Sequence, residues 1–132
     1  MKSYTDLSQS KKLAKILPIE SVDMYYQYVL PKSDRVKHNP EIGNPISALE
    51  WYNKGYTMSG KEPITMDEYC VPCWSLAALL SLIPRPDLHQ TKGGQWCCIA
   101  ESNSMVFSRH FDNPVDTCVD MIYRLKEMNY EK

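Results

Sequence analysis

The chain has 132 residues, the size of one domain with a real core. Its hydrophobic content of 43% and net charge of −1 exclude a disordered polyelectrolyte, and the near-neutral balance lacks the basic surplus of a nucleic-acid coat. No apolar run approaches the ~18–20 residues of a membrane span, and residues 1–15 hold no apolar stretch of a secretion signal, so the expectation is a cytoplasmic protein with no membrane partner.

Thr5 or Asp6 can cap a first helix, with Leu7, Ser10, Ala14 and Leu17 on one face and Lys11, Lys12 and Lys15 toward solvent. Pro18 ends it at Leu17. Residues 24–30 then alternate. Met24, Tyr26, Tyr28 and Leu30 share one side, and Tyr25, Gln27 and Val29 the other, which is the period of a strand closed by Pro31. Residues 31–64 form an irregular insertion rich in proline and glycine. Inside it, Asn44-Pro45 starts a short helix over 45–54, and Gly55 is read as its stop.

Thr65 and Glu68 have the spacing of a capping box. Pro72 is read as the first turn of a helix over 73–83, apolar nearly all round and so predicted as the most buried helix. Residues 96–101 and 105–110, separated by Ser102-Asn103-Ser104, read as a β-hairpin. Asn113-Pro114 caps a last helix in which Val115, Cys118, Val119, Ile122, Leu125 and Met128 or Asn129 keep helical spacing. Early Asp116 and Asp120 and late Arg124 and Lys126 suit its dipole. The class is α+β: one domain, with a small three-stranded antiparallel sheet from 24–30, 96–101 and 105–110 packed with about four helices.

Chemistry-bearing residues are sparse. Cys70-Val71-Pro72-Cys73 is a C-x-x-C that His89, Cys97 or Cys98 could complete as a zinc site, or that could act as a thiol pair at a helix start. Against this, no second zinc half-motif exists at a set distance, and free cysteines commonly pack as small hydrophobes. His38, His89 and His110 lie in polar surroundings, and no hydrolase, metalloprotease, dinucleotide or P-loop motif occurs. No carboxylate pair stands out. No catalytic residue, metal or cofactor is therefore assigned, and the balance leans away from an enzyme. Lys32, Arg35, Lys37 and His38, with the lysines of the first helix, form a small basic patch. The order helix, helix, hairpin, helix faintly resembles winged-helix proteins.

Aromatic residues are the most suggestive feature. Tyr25, Tyr26, Tyr28, Trp51, Tyr52 and Tyr56 crowd a short part of the chain, and strand alternation cannot bury every ring. Exposed Tyr and Trp are favoured at protein interfaces. These six are the candidate binding surface. The helix over 45–54 is expected to pack on its own domain or on a partner subunit, with an oligomer favoured because a small sheet leaves apolar surface to cover.

Three stretches together, residues 19–26 (IESVDMYY), 71–80 (VPCWSLAALL) and 113–122 (NPVDTCVDMI), resemble a set of small uncharacterised proteins encoded in prophages and mobile elements of gut bacteria. The resemblance implies a genomic context and no activity, and it implies that the position of Cys73 need not be cysteine. The expected function is that of a non-enzymatic protein-binding or accessory protein, through a protein partner or self-association. The alternatives are a metal or thiol site on Cys70 and Cys73, and a winged-helix-like nucleic-acid binder.

Overall fold

In the computed structural model, which describes residues 2–128, local capping accounts for most helix starts. Two compact units emerge where the sequence reads as one domain: residues 6–74, and residues 75–128 together with 2–5. Each contains one three-stranded antiparallel sheet, and the described chain has five α-helices, so the class is α+β.

The unit of residues 6–74 opens with α1 (Leu7–Leu13). Asp6 caps it: its carboxylate accepts the Gln9 amide at 2.8 Å, and the Gln9 side chain accepts the Asp6 amide at 3.1 Å. The helix stops at Leu13 rather than Leu17, and turns carry the chain to a 3₁₀ segment, Ile19–Ser21, that follows Pro18. Next come β1 (Met24–Gln27), β2 (Glu41–Ile42), α2 (Pro45–Met58), α3 (Met66–Tyr69) and β3 (Cys70–Cys73).

The sheet order is β2-β1-β3. This corrects the expected sheet: residues 24–30 do not pair with the 96–101 and 105–110 hairpin. Met24 lies opposite Cys73 and Gln27 opposite Cys70. The ladder ends at Gln27. Beyond it Tyr28 forms an isolated bridge to Val36 and donates its amide to the Tyr69 carbonyl at 3.0 Å, and Val29 and Leu30 are exposed. The expected helix start at 73 is likewise corrected. Val71 precedes a proline and is pushed to extended backbone, and Pro72, lacking an amide proton, fits an edge strand. Cys-Val-Pro-Cys is therefore strand.

Two further caps behave as the sequence suggests. Asn44 accepts the Ile46 amide at 2.9 Å with Pro45 in the first turn, and its amide nitrogen donates to the Val22 carbonyl at 2.8 Å. Glu68 accepts the Thr65 amide at 3.0 Å, and this bond holds the Glu68 carboxyl below its usual range. α2, however, runs through Gly55 to Met58, and the glycine with positive φ that follows its end is Gly60. One interior glycine costs only about 1 kcal/mol, which the packing of Tyr52 and Tyr56 offsets. A Cβ built on Gly55 meets nothing within 4 Å. Gly55→Ala is therefore expected to stabilise the protein by about 0.5–1 kcal/mol, read as a higher urea midpoint with an unchanged slope.

The second unit begins with Tyr4 bridged to Ser75 and the Leu76 amide donating to the Ser3 carbonyl. It continues with α4 (Leu76–Ser81), β4 (Asp87–Gln90), β5 (Trp96–Glu101), β6 (Met105–Phe107) and α5 (Pro114–Glu127). β5 is the central strand, and α5 packs on β5, β6 and α4. The Asn113 side chain caps α5 through the Asp116 amide at 2.9 Å, and Lys2 pairs with Asp116 at 2.8 Å. The last helix ends at Glu127; the alternative helical position Asn129 lies outside the described residues.

The most buried helix is α5, not the predicted one over 73–83. Val115, Thr117, Cys118, Val119, Met121, Ile122 and Leu125 are all buried on it, whereas α4 buries Leu79 alone. The reason is length. Ser75, not Pro72, caps α4, leaving a six-residue helix that cannot carry a wide apolar stripe.

Candidate functional site

α2 has two faces of different character. Its inner face places Ala48, Leu49, Tyr52 and Tyr56 against a core of Ile64, Tyr69 and Cys70. Asn53 fixes the returning chain by bonding both backbone groups of Ile64 at 2.9 Å. Four tyrosine rings run in contact across this core: Tyr25 to Tyr69 at 6.0 Å, Tyr69 to Tyr52 at 5.3 Å, and Tyr52 to Tyr56 at 4.8 Å. All are tilted, as ring quadrupoles prefer. Lys61 ends the row, with its ammonium 5.3 Å from the Tyr56 centroid. The hydrogen bond between Tyr52 and Tyr56 pushes the Tyr52 hydroxyl up to about 12, and burial pushes Tyr69 upward. These phenols stay neutral and offer no general base at neutral pH.

The outer face is different. Trp51, Gly55 and Met58 follow one another at the spacing that puts residues on one side of a helix. Trp51 is 80% exposed and Met58 82%. Between them lies an open groove of about 510 Å³, lined also by Lys54, Ser59 and Lys61. Its only charged lining groups are the two lysines. Among the described residues neither lysine forms an ion pair with a carboxylate.

The six aromatic candidates thus separate. Tyr26 is buried in the core, Tyr25 and Tyr28 are half-buried on and beside β1, and Tyr52 and Tyr56 are half-buried, packed inward while also lining the groove. Trp51 alone among them projects fully to solvent. Lys54, Met58 and Lys61 join it and were missed by sequence reasoning. Reading Gly55 as a stop removed Met58 from the helix, although 51, 55 and 58 keep a helical spacing.

The cysteine pattern loses its chemistry in the strand. Cys70 and Cys73 sit at opposite ends of β3. At ~3.3 Å per residue their Cα atoms are about 10 Å apart and their side chains leave opposite faces, too far for one disulfide. Burial, with a smaller contribution from Asp67, pushes the Cys70 thiol up to about 12, the reverse of an activated thiolate. All five cysteines are free and buried, and no metal-ligating cluster is found among the described residues. His38, His89 and His110 are exposed. Lys32, of the basic patch, lies 3.4 Å from Glu68, and Lys37 bonds the Gln27 side chain at 3.3 Å.

A second hollow of about 270 Å³ is lined by Leu17, Ile19, Val22, Met66, Pro72 and Trp74, with Asp67 at its side. Asp67 is its one titratable lining group. Comparison with known proteins finds no matching family, curated protein or solved structure.

Proposed function

We propose that this chain is a non-enzymatic protein-binding protein, the accessory product of a prophage or mobile element, and that it holds its partner on the outer face of α2. The genomic context rests on the resemblance of residues 19–26, 71–80 and 113–122. The contact face rests on one observation: Trp51 and Met58 stand almost fully in water beside a groove whose rim is cationic. Tryptophan is among the residues enriched at the energetic centres of interfaces. The occupant that fits is a protein segment offering one large apolar side chain flanked by carboxylates, which Lys54 and Lys61 would meet.

Selection from a displayed library of random heptapeptides tests this. The expected winners carry a Leu, Ile or Phe next to Asp or Glu. Trp51→Ala should weaken them by at least ~30-fold, the effect of losing a ~2 kcal/mol anchor, with stability unchanged within ~0.5 kcal/mol because the ring is exposed. Gly55→Ala supplies the sharper control. It fills the notch while strengthening the helix, so a variant that is more stable yet binds less cannot be explained by misfolding. No enrichment, or winners that bind Trp51→Ala equally well, would overturn the reading. Concentration-dependent sedimentation abolished by Trp51→Ala would instead make a second copy the occupant.

A further inference from the structure

We propose that the smaller hollow, between the end of α1, the 3₁₀ segment and α3, is a binding site for a small lipophilic amine: an apolar body of about one ring that carries a primary ammonium group. It shares no lining residue with the groove on α2, and all of its lining lies within the unit of residues 6–74. Leu17 follows α1, Ile19 begins the 3₁₀ segment and Val22 closes it. Met66 and Asp67 open α3, and Trp74 follows β3.

The walls are held by the fold itself. The Asn44 amide nitrogen donates to the Ile19 carbonyl at 3.1 Å and to the Val22 carbonyl at 2.8 Å. The Trp74 indole donates to the Ser21 hydroxyl at 2.9 Å, which fixes the plane of the ring. A preformed site spares its ligand the cost of ordering the protein. The hollow measures about 270 Å³. At about 30 Å³ for each water-sized group, such a space holds on the order of nine non-hydrogen atoms. One aromatic ring with a two-carbon arm and a nitrogen fills it, and a nucleotide is too large.

The lining selects the chemistry. Leu17, Ile19, Val22 and Trp74 offer contact to an apolar body and no charge. Asp67 adds a single carboxylate, which accepts hydrogen bonds and donates none. Its neighbour Glu68 is already engaged, by the Thr65 amide at 3.0 Å and by Lys32 at 3.4 Å. The Asp67 side chain, by contrast, forms no ion pair or hydrogen bond among the described residues. An ammonium group on the ligand supplies that partner through a charge-assisted bond. A ligand carboxylate or phosphate would meet Asp67 as a like charge. Few convergent polar groups on an apolar wall are the usual make-up of a small-molecule site.

The test titrates phenethylamine into the full chain at low salt, where an exposed charge pair is least screened, and follows the indole N–H signals of the tryptophans by NMR. The Trp74 signal, identified by its loss in Trp74→Phe, should move with a Kd in the millimolar range or tighter. Phenethyl alcohol keeps the ring and loses the charge, and 3-phenylpropionate reverses it. Both should bind at least ~5-fold more weakly, the effect of losing one exposed charge pair. Asp67→Asn should weaken the amine by a similar factor and erase its advantage over the alcohol. Asp67 is exposed, so this variant keeps the fold. Ala14→Phe puts a ring into the hollow from an exposed position at the end of α1 and should remove binding. A Trp74 signal that stays still at ~10 mM amine, a concentration that fills a millimolar site, would overturn the proposal. Movement of the Trp51 signal in its place, equal affinity for amine and alcohol, or an Asp67→Asn protein that still prefers the amine would do the same.

Discussion

Trp74→Ala is expected to lower stability by about 3–5 kcal/mol, the range for removing a large ring from a packed core. Trp74 is fully buried just after β3, and its indole N–H donates to the Ser21 hydroxyl at 2.9 Å. That hydroxyl in turn donates to the Pro18 carbonyl at 2.6 Å, so one side chain holds the 3₁₀ turn through a two-bond relay. Truncation opens a cavity and strips Ser21 of a donor, and the two costs add. Trp74→Phe separates them. It keeps much of the ring volume while losing the bond, and should cost about 1–3 kcal/mol, less than alanine. Urea unfolding of the three proteins gives the comparison. A cost under 1 kcal/mol for alanine would mean that the ring does not anchor residues 6–74.

Leu79→Ala should cost about 2–5 kcal/mol. Leu79 is the single buried side chain within α4, with its amide bonded to the Ser75 carbonyl at 3.0 Å. A helix of six residues is unstable alone, so its attachment depends on that one side chain entering the core. Leu80→Ala, at a half-buried neighbour, should cost less. Equal costs at the two positions would show that α4 is held by its whole surface rather than by one leucine.

These elements show what could be read from residues alone. Caps were legible because they are settled within a few residues: Asp6, one of two candidates with Thr5, and Asn44 with Pro45, Thr65 with Glu68 and Asn113 with Pro114 stand where the side-chain chemistry puts them. Strand pairing was not, because it is decided by distant chain. β1 has strand alternation whichever partner it meets, and nothing local tells it to choose Cys70–Cys73. β4 is short and largely exposed, with no alternation to detect. The candidate site divides the same way. The crowding of aromatic residues was visible, but which rings turn inward depends on the tyrosine row across the core, and Trp51 is exposed because α2 turns Tyr52 and Tyr56 to that row instead.

The bridge between Tyr4 and Ser75 bears on the order of synthesis. Residues 6–74 leave the ribosome with all their sheet partners already made. Residues 2–5, though made earlier, belong with a unit whose main helix ends at Glu127. At ~5–20 residues per second that helix arrives several seconds later. A nascent chain stalled just as residue 74 clears the exit tunnel should therefore already protect Trp74 from solvent, while Lys2 still waits for its ion-pair partner Asp116.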